Sequence, residues 1–286
     1  MVAIDANRLE LGEGPGYDPA TDLAWWFDIP SRRLFTRQIA TGETMVHKLP
    51  IAASAMATTT QMQQLLLTED GLYFRDPVSG LLDIHLPIEA DNPRMRSNDA
   101  RVHPSGAFWI STMSWEGEIG AGSIYRYYRG KLERLWDGIT IPNAICFSPD
   151  GRTAYFTDTP TRRIMHVETD PSNGSVLGRP QDFVTDLHWP DGAVTDQAGN
   201  LWVAIFGTGQ VLGFDPTGRA THELNLPANN LTCPAFVGRD AQQMLVTSAF
   251  FGLDPISRNQ SPDEGATFVL PIGFTGRFDP PVDIGH

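Results

Sequence analysis

An all-β fold is predicted, a six-bladed β-propeller with four-stranded antiparallel blades. Three observations predict it. One motif returns six times along the chain, its lead residues 41–48 residues apart. That spacing is the length of a propeller blade. Each copy reads as a strand, a turn of Asp, Pro, Gly, Asn or Gln, and a second β-rich strand. No segment shows helical periodicity with caps, and no Ser- or Gly-rich linker breaks the chain, so residues 1–286 are expected to form a single propeller domain. A β-sandwich also has frequent turns, but it lacks a whole motif returning at long period.

The copies follow in order. The first is "EGPGYDPATDLAWWFDI" from Glu13, and the second, weaker one is "SAMATTTQMQQLLLTED" from Ser54. "NDARVHPSGAFWISTM" starts at Asn98 and "NAICFSPDGRTAYFTDT" at Asn143. "DGAVTDQAGNLWVA" starts at Asp191, and the second weak copy, "CPAFVGRDAQQMLVTSA", at Cys233. Outer strands come from segments such as "GSIYRYY" (122–128), "RIMHVETD" (163–170) and "GQVLGFDPTG" (209–218).

Bulk properties narrow the function. With 41% hydrophobic and 19% charged residues, the 286-residue chain can bury a sizeable core. A net charge of −13 repels phosphate backbones, so nucleic acid is not an expected partner. No apolar run approaches the ~20 residues of a membrane span, and no secretory leader is read. The two cysteines have no metal-type spacing and suit a reduced, cytoplasmic chain in which Cys is a small buried apolar residue. The chain is expected to be a monomer or a weak homo-oligomer.

In a propeller the first strand of every blade lines the central channel. The six lead residues should therefore occupy equivalent positions about one axis. Five are polar: Glu13, Ser54, Asn98, Asn143 and Asp191. Acids and amides gathered there go unsatisfied unless water or a cation joins them. Carboxylates from Glu13 and Asp191 with an amide oxygen from Asn98 or Asn143 make an all-oxygen set that suits a hard divalent ion. The bland alternative is a wet channel lined by strand-end polar groups.

The chain resembles the family of senescence marker protein 30, gluconolactonase and luciferin-regenerating enzyme. The likeness rests on "LGEGPGYDP", "RSNDARVHPSGAFWISTM", "IPNAICFSPDG" and "WPDGAVTDQAGNLWVA", in this order and at blade spacing. Within the family it is most similar to bacterial sugar-acid lactonases such as xylonolactonase and gluconolactonase. The resemblance implies one divalent ion, Ca²⁺, Mn²⁺, Fe²⁺ or Zn²⁺, held by Glu13, Asn143 and Asp191. It implies substrate contacts from Arg96, Asn98 and Glu116, with Glu118 a nearby competitor for the last role. Asp99 is expected to anchor the strand start.

The implied activity is a metal-dependent hydrolase opening an aldonolactone to the free acid. Asp191 would serve as the catalytic base, with the sugar lactone as the small-molecule partner. Arg96 carries no ligand oxygen, so it is expected to serve the substrate and not the ion. The family also holds calcium-binding regulators and phosphotriester hydrolases, so a non-catalytic metal-binding propeller and a promiscuous hydrolase stay open. No Ser–His–Asp arrangement or G-x-S-x-G motif competes. His188, Trp115 and Trp189 flank the motif loops, and Phe206, Phe250 and Phe251 read as packing between blades.

Overall fold

A computed structural model of the chain describes residues 2–4 and 6–285. Among them are six four-stranded antiparallel sheets, the blades of a six-bladed β-propeller. In the first five blades the four strands follow one another in sequence. The innermost strands of the six are Gly12–Asp18, Ala53–Thr58, Met95–Val102, Pro142–Phe147, Pro190–Thr195 and Leu231–Val237. The sixth blade takes its outer strand from the other end of the chain: Val2–Ala3 pairs with Phe268–Pro271.

The chain divides into two compact units. One comprises Met1–Pro50 and His188–Phe278, the other Ile51–Leu187 and Asp279–His286. The first holds blades 1, 5 and 6, and its core gathers Trp202, Phe236, Met244 and Phe268. Trp202 stacks on Phe274 with centroids 4.1 Å apart and donates its indole N–H to Asp196 at 3.0 Å. The second unit holds blades 2, 3 and 4. There Trp109 packs edge-on to Phe147 at 5.2 Å and donates to the Gly174 carbonyl at 3.0 Å. The C-terminal segment lies on this second unit, with Val282 bridging Thr59 and Asp283 paired to Arg129 at 2.7 Å.

Every innermost strand carries the same irregularity. Residues 12–16 run opposite 25–28, 53–57 opposite 65–68, and 97–101 opposite 109–112. Likewise 142–146 run opposite 155–158, 190–194 opposite 202–205, and 231–235 opposite 245–248. Five residues against four make a β-bulge, which bends the strand and re-aims the side chains within it. An aromatic residue closes the bulge from the second strand in four blades: Trp25, Trp109, Tyr155 and Trp202. Gly16 is required there, because a Cβ would fall 2.5 Å from the Trp25 ring.

Two expectations are corrected. A short helix, Pro255–Gln260, follows blade 6's second strand; Asp254 caps it, accepting from the Ile256 and Ser257 amides at 2.9 and 3.2 Å. Phe251 is exposed rather than packed between blades, and Phe250 instead meets the guanidinium groups of Arg258 and Arg8. Both cysteines are buried, and neither is in a disulfide. Among the described residues no helix is long and apolar enough to cross a membrane.

One link between blades 2 and 3 is titratable. His85 Nε2 lies 2.7 Å from the Tyr127 hydroxyl, and burial holds the imidazole below its ordinary range. Folding then favours the neutral form. Its contribution is complete above the unfolded value of about 6.5 and is lost as pH falls through the lowered folded value. Melting temperature should therefore drop more between about pH 7.5 and pH 5 in the wild type than in His85→Gln. Parallel curves for the two proteins would remove this link from the account.

Candidate active site

The bulge sets where the polar side chains stand. The second residue of each five is Glu13, Ser54, Asn98, Asn143, Asp191 and Thr232. All six are buried, between 0 and 9% exposed. Five are the lead residues expected from the repeat. The sixth is Thr232, not Cys233, which sits one residue further into the bulge. Thr232 is occupied structurally: its hydroxyl donates to the Gly12 carbonyl at 2.5 Å and meets Thr247 Oγ1 at 2.8 Å.

In the first unit Glu13 and Asp191 supply carboxylates at this position. Glu13 accepts from the Gly14 amide at 3.1 Å, and Gly14 takes φ of +54°, a conformation that suits glycine. The strand leading to Glu13 is pinned by the fully buried Asp28, which accepts from Leu11 N at 3.2 Å and pairs with Arg33 at 2.6 Å. Asp191 precedes Gly192, where a Cβ would lie 2.3 Å from Cys233 Sγ. Only glycine lets the blade 5 bulge come this close to the next innermost strand.

In the second unit a chain of polar contacts runs from Arg96 to Thr159. Arg96 Nη1 donates to Asn98 Oδ1 and to the Ser97 carbonyl, both at 2.8 Å. Asn98 Nδ2 donates to Asn143 Oδ1 and to the Pro142 carbonyl, both at 2.9 Å. Asn143 Nδ2 donates to Thr159 Oγ1 at 3.0 Å. Each amide is thereby fixed in one orientation. Asn143 has its nitrogen committed to Thr159, and its oxygen retains a second lone pair after accepting from Asn98. Asp158 repeats the role of Asp28, accepting from Ile141 N at 2.8 Å two residues before Asn143. Ser97 turns to Ser54, their hydroxyls 2.8 Å apart.

The flanking residues divide. Trp115 takes the Arg96 guanidinium over its ring at 5.4 Å, a cation–π contact. Glu116 is exposed in the turn after the strand Phe108–Ser114. Glu118, also exposed, pairs loosely with Arg94 at 3.5 Å. His188 is exposed, with Nδ1 3.0 Å from the Phe206 carbonyl, and Trp189 is 44% exposed.

The donor chemistry fits a divalent ion. Glu13, Asn143 and Asp191 share one register position in three blades and are all buried oxygen donors. Among the described residues no three His, Cys, Asp or Glu side chains are gathered for a metal. The repeat alone does not single out Thr159, Asp28 or Asp158. Their signal was present in "WWFDI" and "YFTDT", where an acid ends the second strand.

The profile of the SMP-30/Gluconolactonase/LRE-like region matches residues 11–250. The chain belongs to this family. All six candidate residues, Glu13, Arg96, Asn98, Glu116, Asn143 and Asp191, lie inside the matched span. Pentonolactonase XacC of Haloferax volcanii is 31% identical over 294 residues, covering 97% of this chain and 96% of its own. L-arabinolactonase of Azospirillum brasilense is 30% identical over 277 residues, covering 94% and 91%. A crystal structure of regucalcin from Agrobacterium tumefaciens strain C58, described as a calcium-binding protein, superposes with a TM-score of 0.95. It is 43% identical, covering 98% of this chain and 96% of that one.

Proposed function

We propose that this SMP-30/gluconolactonase family member hydrolyses a sugar-acid lactone to the open acid, using one divalent ion held by Glu13, Asn143 and Asp191. The observation that carries the reading is the buried network Arg96–Asn98–Asn143, which joins a fixed cation to a candidate ligand in a family with named lactonases. When bound, the ion supplies a Lewis acid for the lactone carbonyl. Asp191 takes a proton from the attacking water, as a positioned carboxylate can. Arg96 offers N–H donors to the lactone oxygens, and its charge opposes the negative charge that builds there. Asn98 and Glu116 hydrogen-bond sugar hydroxyls, which an apolar wall recognises poorly. An all-oxygen set favours Ca²⁺ or Mn²⁺, with Fe²⁺ and Zn²⁺ the other candidates. Two buried cysteines outside any disulfide suit a reducing compartment such as the cytoplasm.

Lactone opening releases a proton, so the test is acid release from pentono- and hexonolactones with and without a chelator. Release that stops with chelator and returns with Mn²⁺ or Ca²⁺ supports the reading. Release indifferent to the chelator removes the ion. The regucalcin likeness favours a second reading, a calcium-binding propeller without turnover. It would bind the ion and open none of these lactones.

A further inference from the structure

The third residue of each bulge is small in five blades: Gly14, Ala55, Ala144, Gly192 and Cys233. Blade 3 places Asp99 there. Burial pushes its carboxyl above the ordinary carboxylate range, against the pull of Arg101 and of two backbone amides. A buried acid is costly unless its oxygens are satisfied. The contacts that offset the cost lead to one place. Asp99 Oδ1 accepts from its neighbour's amide, Ala100 N, at 2.8 Å, and Oδ2 accepts from Ile145 N at 2.7 Å. Ile145 lies in the blade 4 bulge, two residues after Asn143. Asn98 grips the same bulge from its other end, through the Pro142 carbonyl and the Asn143 side chain. Arg101 stands behind Asp99 and is itself paired with Asp279 of the C-terminal segment at 3.2 Å.

We propose that Asp99 is a positioning residue for Asn143: with Asn98 it clamps residues 142–145 from both ends, so that the Asn143 oxygen is held ready for the ion. The local backbone gives the clamp work to do, because Ala144 is held at φ of +53°, which a side-chain-bearing residue rarely adopts. This rests on the reading that Asn143 is a metal ligand. Partners that orient a metal ligand typically cost about 10–100-fold in metal affinity when lost.

The experiment is Mn²⁺ titration of the full chain by calorimetry, comparing wild type, Asp99→Asn, Asn143→Ala and Asp22→Asn. Asp22 is a buried carboxylate bonded to Tyr17 and Ala40, and it controls for lost stability alone. Asp99→Asn should bind Mn²⁺ about 10–100-fold more weakly, and Asp22→Asn should bind as the wild type does, whatever its melting temperature. Wild-type affinity in Asp99→Asn, with affinity lost in Asn143→Ala, overturns the clamp and leaves the ion site standing. No Mn²⁺ or Ca²⁺ binding by the wild type overturns both. Should Asp99→Asn not fold, amide exchange at Ile145 in the wild type decides: it should slow when Ca²⁺ is added, and unchanged exchange rejects the coupling.

Discussion

Asp191→Asn is expected to leave the fold intact and to cut lactone turnover by about 10²–10⁴-fold, the range for loss of a positioned acid–base group. The fold should hold because the same register position already accepts an amide twice, as Asn98 in blade 3 and Asn143 in blade 4. The change keeps the shape that fits between Pro190 and Gly192, and Gly192 still clears Cys233. What it removes is a negative charge and a proton acceptor. Those two losses separate experimentally. Turnover of the variant is measured with Mn²⁺ raised until it no longer responds, alongside a Mn²⁺ titration. If saturating metal restores wild-type kcat, Asp191 is a ligand and not the base. If metal binding is intact and kcat stays low, the base assignment stands.

The parts of this site that were legible in the sequence are those that repeat. A lead residue followed by a turn and a β-rich strand recurs at blade length, and this located Glu13, Ser54, Asn98, Asn143 and Asp191 at one register position. The sixth copy slipped by one residue because "LTCPAF" offers neither an acid nor an amide. In the sequence Cys233 reads as the lead, whereas the paired strand aligns Thr232. Contacts between blades were not legible. Asn98 and Asn143 are 45 residues apart, and only the packing of two bulges brings their amides to 2.9 Å. The closing strand Val2–Ala3 is too short to show a period, since two residues cannot display alternation. The helix after Asp254 was legible in principle: Asp then Pro is a cap followed by a favoured first helical residue. At six residues it carries no periodicity to support that signal.

Arg96→Ala is expected to lower kcat/KM by about 1.5–3 kcal/mol, the scale of a charged hydrogen bond, or about 10–150-fold. Arg96 is buried, its guanidinium lies over Trp115, and one nitrogen is already spent on Asn98 and Ser97. The guanidinium is thus held in one place, and a substrate bonded to it loses little entropy on binding. The sequence alone suggests that Arg96 acts independently of the ion. The network changes that expectation in degree. Without Arg96, Asn98 Oδ1 loses a donor, but Asn98 Nδ2 keeps its bonds to Pro142 and Asn143. Metal affinity should therefore weaken only a few-fold, far less than kcat/KM. Arg96→Lys should fall between, because an ammonium keeps the charge but cannot reach Asn98 and substrate with a fixed fork. Arg96→Ala and Asn98→Ala should also be non-additive when combined, since each breaks the same contact. Kinetics on several pentono- and hexonolactones, with a Mn²⁺ titration of each variant, test these points together. Unchanged kcat/KM for Arg96→Ala on every lactone would count against the residue and against the sugar-lactone assignment that depends on it.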